Sequence, residues 1–227
     1  MTDAGFAQLL ARRRSVRAYL PTPVPAAGVA AILTDARRAP SGANLQPGHF
    51  VALTGTPFAA LKDALAQGIA DARPTVSAYD YFPDPMPPHL KDRQRAAGYA
   101  LYAALGIARR DVAGRRAQFA RNYAFFDAPV GIVVTIDRGM GKGCWMDLGM
   151  ALMALFLAAE ARGLATTGIG ALADHADLVH DRLGLPDDQM VVCGIALGHA
   201  DTAAPVNAFR TGRAALADYA DLRGFDG

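Results

Sequence analysis

Lysine and glutamate are almost missing from this chain. Of its 227 residues only Lys62, Lys91 and Lys142 are lysines and only Glu160 is a glutamate. The remaining charge is carried by twenty arginines and twenty aspartates, for a net charge of +2. With a single Glu and no His in the required spacing before it, an HExxH zinc protease is excluded. The near balance of charge excludes a polybasic or acidic tail, and with it a nucleic-acid partner held by bulk charge. Cysteine is equally scarce: Cys144 and Cys193 form no CxxC pair and read as small buried hydrophobes in a reducing cytosol. The longest uncharged apolar run, 148–159, is bracketed by Asp147 and Glu160 and falls short of the roughly 20 residues of a membrane span. Charges follow the first apolar residues rather than precede them, which is not the order of a signal peptide. The expectation is a soluble, cytoplasmic protein without a membrane partner. No GxGxxG follows a strand, and GMGKG at 139–143 lacks the spacing of a phosphate-binding P-loop. His49, His89, His175, His180 and His199 show no metal-ligand spacing, so no metal is expected.

A hydrophobic share of 52% over this length supplies a core and excludes a disordered chain. Residues 4–14 read as a helix with Phe6, Leu9 and Leu10 on one face. Pro21, Pro23 and Pro25 form an extended connector, and Pro25 suits the first turn of a second helix. That helix carries Val29, Ile32, Leu33 and Ala36 at the spacing of one face. Strands are expected at 50–54, 130–136 and 190–197, the second apolar throughout and therefore central. Thr56 and Pro57 read as the cap and first residue of a third helix. Residues 72–88 contain Pro74, Pro83, Pro85, Pro87 and Pro88 together with Tyr79, Tyr81 and Phe82. This irregular stretch is the candidate lid, within an excursion over 72–126 whose second half reads as two helices broken near Gly106. Residues 145–161 are apolar all round, the mark of a helix with no solvent face. There is no internal repeat or linker, and the expectation is one α+β domain over 1–227.

Four segments carry chemistry. Arg12-Arg13-Arg14-Ser15-Val16-Arg17 reads either as a solvated basic helix end or as an anion site, since guanidinium forks match phosphate oxygens. Pro40–Pro47 is a loop bearing Ser41, Asn44 and Gln46, whose amides can read a heterocycle edge or simply cap a turn. Gly163–Gly170 is a glycine-rich turn that lets backbone approach a ligand or ends a helix. Asn207, Arg210 and Arg213 lie in an extended tail, where surface salt bridges are the plainer reading.

In this order the segments resemble the FMN-dependent nitroreductase family. The resemblance rests on RRSVRAY at 13–19, PSGANLQP at 40–47, DLGMALMALFLAAEARGLAT at 147–166 and NAFRTGR at 207–213. YDYFP at 79–83, GYALYAALGIARRD at 98–111 and NYAFFDAPVGI at 122–132 are similar to the nitrobenzoate-reductase-like subgroup. The resemblance implies a nitroreductase-like mixed sheet wrapped by helices, an intertwined homodimer with two FMN sites, and NAD(P)H as co-substrate. Residue by residue it implies that Arg13, Ser15 and Arg213 hold the FMN phosphate and ribityl chain, with Arg14 and Arg210 alongside. Arg17 would sit by the N1–C2 edge of the ring. Ser41, Gly42 and Asn44 would approach from the second subunit, and backbone of Gly168, Ile169 and Gly170 would border N5. Tyr79, Tyr81, Phe82, Tyr123, Phe125 and Phe126 are candidates for aromatic walls facing a small aromatic electron acceptor, a nitroaromatic or a quinone, with plain core packing the alternative, above all for the group at 122–126. No residue is expected to act as acid, base or nucleophile, because the chemistry resides at the flavin. The chain departs from the family where Gly48 replaces a common Trp, Gly42 a second Ser, and TTGIG at 166–170 a Cys-Pro-Gln segment. The alternatives are another flavin-dependent reductase or dehydrogenase of the superfamily, and a non-catalytic flavin-binding protein.

Overall fold

The structure, a computed structural model, describes residues 3–225. Residues 1, 2, 226 and 227, which the single-domain reading takes in, lie outside the described residues. The described chain is organised around β2, Val130–Asp137, which is buried along nearly its whole length. It pairs antiparallel with β1, His49–Leu53, on one side and with β4, Gln189–Gly198, on the other. A further strand, β3, Ala165–Ile169, closes the order β1-β2-β4-β3. It occupies part of the segment that reads as a glycine-rich turn. Its five residues, two of them Thr and one Gly, give too short an apolar pattern to signal an edge strand.

Alternation along β2 divides the core into two faces. Val130, Ile132, Val134 and Ile136 point to one side and Val133 to the other. A bulge between Val134 and Thr135 interrupts the register with β4. One extra residue there reverses the alternation. Met190 and Val192, before it on β4, and Ile195 and Leu197, after it, therefore all reach the same side.

That first side is covered by α2, Ala26–Ala36, and α6, Lys142–Glu160, which pack on each other. Val29, Ile32 and Ala36 are the buried residues of α2, as its spacing requires. The other side is covered by α3, Gly55–Ala70, and α7, Ala176–Leu183. Phe58 of α3 lies over Gly131, where a Cβ would collide with its ring. The third helix begins earlier than expected, with Thr54 at its N-cap and Pro57 inside the first turn. The Thr54 hydroxyl donates to Pro129 O rather than capping the helix.

Three further elements lie outside this layering. α1, Asp3–Arg12, buries Leu9 but leaves Phe6 and Leu10 exposed. α4, Pro88–Ala104, and α5, Val112–Ala120, form the excursion, and the chain between them turns at Gly106 with φ +68°. α6 departs most from its expected environment. Only Leu148, Leu155, Ala158 and Ala159 of this helix are buried, while Met146, Met150 and Met153 are exposed on one stripe.

Gly48, at the entrance to β1, has φ +92°, and a Cβ built there would stand 2.6 Å from Leu148 Cδ1. Both the backbone conformation and the space exclude a side chain unless α6 yields. Gly48→Ala is therefore expected to lower unfolding stability by about 1–3 kcal/mol, seen as a lower midpoint in urea. An unchanged midpoint would mean that Leu148 moves aside without cost.

Candidate active site

After α1 the chain runs out extended beside the edge strand β3. Ser15 bridges Thr166 in parallel, and Val16 N donates to Thr166 O at 3.1 Å. Val16 is buried, and the Thr167 hydroxyl donates to its carbonyl. Alternation about this anchor turns Ser15 and Arg17 to the opposite side. There they face the tail that follows α8, Pro205–Ala208. Between the two segments lies a cavity of about 260 Å³ lined by Arg13, Arg14, Ser15, Arg17, Arg210 and Arg213, with Leu10, Phe209 and Thr211 at its edges.

The charge in this cavity is one-sided. None of its five arginines has a carboxylate partner among the described residues; the nearest ion pair joins Arg12 to Glu160 at 3.4 Å. Arg14, Arg17, Arg210 and Arg213 bond instead to main-chain carbonyls, and Arg213 also to a hydroxyl. Arg14 Nε donates to Asn207 O at 2.9 Å, and Arg210 Nη1 donates to the same oxygen at 3.0 Å. Arg213 Nη1 donates to the Thr211 hydroxyl at 2.8 Å. Burial lowers the Arg17 pKa from the ordinary guanidinium range, and the Arg210 pKa is lowered by desolvation and then by the neighbouring Arg14. Like charges gathered without a counter-charge repel one another, so the cavity suits an anion. Its chemistry fits a phosphate monoester bearing roughly −1.5 to −2 charges.

Asn207 joins the two segments. It is 2% exposed, and its side chain uses both ends of the amide. Oδ1 accepts from Arg17 N at 2.8 Å, while Nδ2 donates to Ala18 O at 2.7 Å and to Asp201 O at 2.8 Å. The surface reading of this tail residue is therefore corrected: Asn207 is a buried pin that sets the tail against residues 14–18. The sequence singles out Asn207 within NAFRTGR at 207–213 but not its burial, because an Asn in a polar tail has the composition of any exposed turn.

The remaining site residues divide into three groups. Gly168, Ile169 and Gly170 lie at the end of β3, further along the direction in which residues 15–17 run. The Tyr81 ring packs against Gly170 closely enough that a Cβ there would stand 2.7 Å from it. Tyr81 also belongs to a chain of ring contacts, Trp145–Tyr79–Tyr81–Phe82, with centroids 4.9, 6.3 and 4.8 Å apart. Tyr79 is fixed by its hydroxyl, which donates to Val192 O at 2.6 Å; Tyr81 and Phe82 stay exposed. Thus the proline-rich segment lies against residues 168–170.

Ser41, Gly42 and Asn44 do not line the arginine cavity. Their loop is held at the flank of α6, where Gly42 N donates to Asp147 Oδ2 at 3.0 Å and Arg37 donates to Gln46 O at 2.7 Å. These clamps hold Ala43, Asn44 and Gln46 at φ +49°, +57° and +49°. Three non-glycine residues in this region form a strained backbone, a condition that clusters at ligand-binding sites.

Tyr123, Phe125 and Phe126 are the group that the structure places elsewhere. Phe125 and Phe126 are fully buried against Phe58 and Leu172 beneath the sheet, and the Tyr123 ring packs edge-on against His175. They are core side chains, and the aromatic wall is confined to residues 79–82. A run of aromatics before a buried strand has the same appearance in either role, so the sequence could not separate them.

Comparison with known proteins agrees with this geometry. Residues 10–199 match the model of the Nitroreductase family. A 4-nitrobenzoate reductase of Pseudomonas putida is 39% identical over 226 residues, covering 100% of this chain and 98% of that protein. The solved structure of the FMN and NADPH-dependent nitroreductase NfnB from Sphigopyxis sp. strain HMH superposes with a TM-score of 0.94. It is 43% identical and covers 96% of this chain and 99% of its own. The FMN-dependent nitroreductase NfnB of Mycobacterium smegmatis, solved in complex with NADPH, has a TM-score of 0.90 and 31% identity over 96% of this chain and 99% of its own. With its fold and nearly its whole length in common with these proteins, the chain belongs to the nitroreductase family.

Proposed function

We propose that this protein is an FMN-dependent NAD(P)H nitroreductase whose flavin phosphate is held in the arginine cavity. The observation that carries the reading is the set of Arg13, Arg14, Arg17, Arg210 and Arg213 around one cavity with no carboxylate partner among the described residues. Arg13, Arg213 and the Ser15 hydroxyl supply the phosphate and ribityl contacts, and Arg14 and Arg210 add charge. Arg17 stands where residues 15–17 run toward Gly168, so its cation stabilises negative charge at the N1–C2 edge of the ring. Backbone of Gly168–Gly170 borders the N5 side. Tyr79, Tyr81 and Phe82 cover that side, exclude water and stack with a flat acceptor. Bound FMN supplies two-electron transfer: hydride arrives from NAD(P)H and leaves to a nitro group or quinone. For a nitroarene the first cycle balances as NAD(P)H, H⁺ and ArNO₂ giving NAD(P)⁺, ArNO and water. The protein side chains need contribute no acid, base or nucleophile of their own.

The site closes between two copies of the chain, a homodimer. Three observations support this: the exposed methionine stripe of α6, the separation of residues 41–44 from the arginine cavity, and a tail whose Leu216, Tyr219, Leu222 and Phe225 are all exposed. α6 is the one described helix long and apolar enough to cross a membrane. Its uncovered face is assigned to the second copy, and the whole chain 1–227 to one cytoplasmic flavin-binding domain. Both cysteines are free, and burial pushes the Cys193 thiol up to about 12, which makes it an unreactive side chain.

Two measurements test the reading. Initial rates with NADPH and 4-nitrobenzoate varied together should give parallel double-reciprocal lines, the pattern of a ping-pong reaction; intersecting lines, or no turnover in a yellow protein, would contradict it. Asn207→Ala should weaken FMN binding about tenfold or more, because Arg17 and both segments lose their shared pin and leave buried polar groups unpaired at about 1–3 kcal/mol. Unchanged FMN affinity by fluorescence titration would remove Asn207 from the site.

A further inference from the structure

The peptide unit between Val16 and Arg17 is held at both ends by side chains. Its carbonyl, Val16 O, accepts from the Thr167 hydroxyl of β3, its only donor among the described residues. Its N–H, on Arg17, donates to Asn207 Oδ1 of the tail at 2.8 Å. The next carbonyl, Ala18 O, accepts from Asn207 Nδ2 at 2.7 Å and from Asp201 N at 3.0 Å. A planar peptide fixed at two opposed atoms cannot rotate, so the direction in which the Arg17 side chain leaves the backbone is set.

Thr167 is itself oriented. It is 2% exposed, and its hydroxyl has two carbonyls in reach, Val16 O and Thr166 O, the latter at 3.0 Å. Thr166 O already has Val16 N as a donor at 3.1 Å, which leaves the Thr167 proton to Val16 O. The Tyr19 hydroxyl stands 3.3 Å from Thr167 Oγ1 and 3.3 Å from Ala196 O. Burial raises the Tyr19 pKa above the ordinary phenol range, so the group stays a neutral donor. A proton given to Thr167 Oγ1 polarises that hydroxyl and strengthens its bond to Val16 O. Tyr19, Thr167 and Val16 thus form a series of hydrogen bonds that ends on the Arg17 peptide, and none of the three lines the arginine cavity.

Among the five arginines, Arg17 is the one assigned to the ring rather than to the phosphate. Coulomb energy falls with distance. A guanidinium free to swing away from the N1–C2 edge therefore stabilises the anionic, reduced flavin less, whereas the neutral oxidised ring scarcely responds. Resting on the function proposed above, we infer that Thr167 and Tyr19 are positioning residues for Arg17, and that their hydroxyls raise the reduction potential of the flavin without touching it.

The test measures the two-electron midpoint potential of FMN in the purified holoprotein. Thr167→Val keeps the shape of the side chain and removes the hydroxyl; Thr167→Ser keeps the hydroxyl; Tyr19→Phe removes only the outer donor. Thr167→Val should weaken binding of reduced FMN about tenfold relative to oxidised FMN, a fall of about 30 mV for a two-electron couple. Tyr19→Phe should act in the same direction by about two- to threefold, since the Thr167 hydroxyl remains. Thr167→Ser should stay near the unaltered value. With Arg17→Ala already in place, Thr167→Val should cause no further fall, because its effect passes through that cation.

A merely structural role predicts a lower melting temperature with the potential unchanged. That result, an equal fall in Thr167→Ser, or an undiminished fall beside Arg17→Ala would overturn the inference. If Thr167→Val does not fold, Tyr19→Phe decides, by a shift present with Arg17 and absent without it; no shift overturns the inference. Failure of the flavin reading looks different: the unaltered protein would bind no FMN, which removes both readings, whereas a bound flavin indifferent to these variants removes this one alone.

Discussion

Arg13→Ala and Arg213→Ala should each purify with much of the yellow colour lost, their FMN affinity reduced about 10- to 150-fold. Each removes one guanidinium contact to a dianionic phosphate, and such charge-assisted bonds are worth roughly 1.5–3 kcal/mol. The two side chains come from opposite ends of the chain and meet only across the cavity. Because they share one ligand group, the double variant should fall short of the product of the single effects. The folded protein should not suffer. Neither side chain is paired with a carboxylate, and removing one of five crowded cations relieves repulsion within the cavity. Loss of colour with an unchanged or higher melting temperature of the FMN-free protein is the expected pair of results. Full retention of FMN by both variants would place the phosphate elsewhere.

Met150→Asp should convert a dimer into a colourless monomer. Met146, Met150 and Met153 follow at i, i+4 and i+7 on the uncovered stripe of α6, and exposed Leu45 adds to the apolar surface. Burying a large apolar side chain contributes about 1.5–3 kcal/mol, and a carboxylate in the same place would be buried without a partner. Residues 41–44 are clamped to this helix through Asp147, one turn before Met150, so separation of the copies would also remove the far wall of the flavin site. Sedimentation velocity reads the first effect and absorbance the second. A Met150→Asp protein that remains dimeric and yellow would show that this stripe is not the interface.

The sequence was most legible where local chemistry had a single outlet. The apolar run 130–136 could only be a central strand, and the spacing of Val29, Ile32 and Ala36 set the buried face of α2. The arginine run at 12–17 was ambiguous until burial of Val16 fixed which side chains face the cavity. Segment 165–169 escaped notice because Thr-Thr-Gly on an edge strand lacks the apolar alternation of a central one. Asn207 stands out in the sequence, but its role as a buried pin does not, because that role lies in partners about 190 residues away that no local pattern encodes. For Phe125 and Phe126 the sequence leaves a wall and the core both open, and packing with Phe58 and Leu172 decides for the core. α6 reads in the sequence as apolar all round with no solvent face, whereas within one chain its methionine stripe is exposed. The homodimer proposed above would cover that stripe.

The proposed reaction has a flavin in the arginine cavity pass electrons from NADPH to an aromatic acceptor. Anaerobic titration of the purified, FMN-loaded protein with NADPH tests it directly. One equivalent of NADPH per flavin should bleach the yellow band, and addition of 4-nitrobenzoate should restore it. Bleaching without recovery by nitroaromatics or quinones, or a flavin colour that NADPH leaves untouched, would contradict the account.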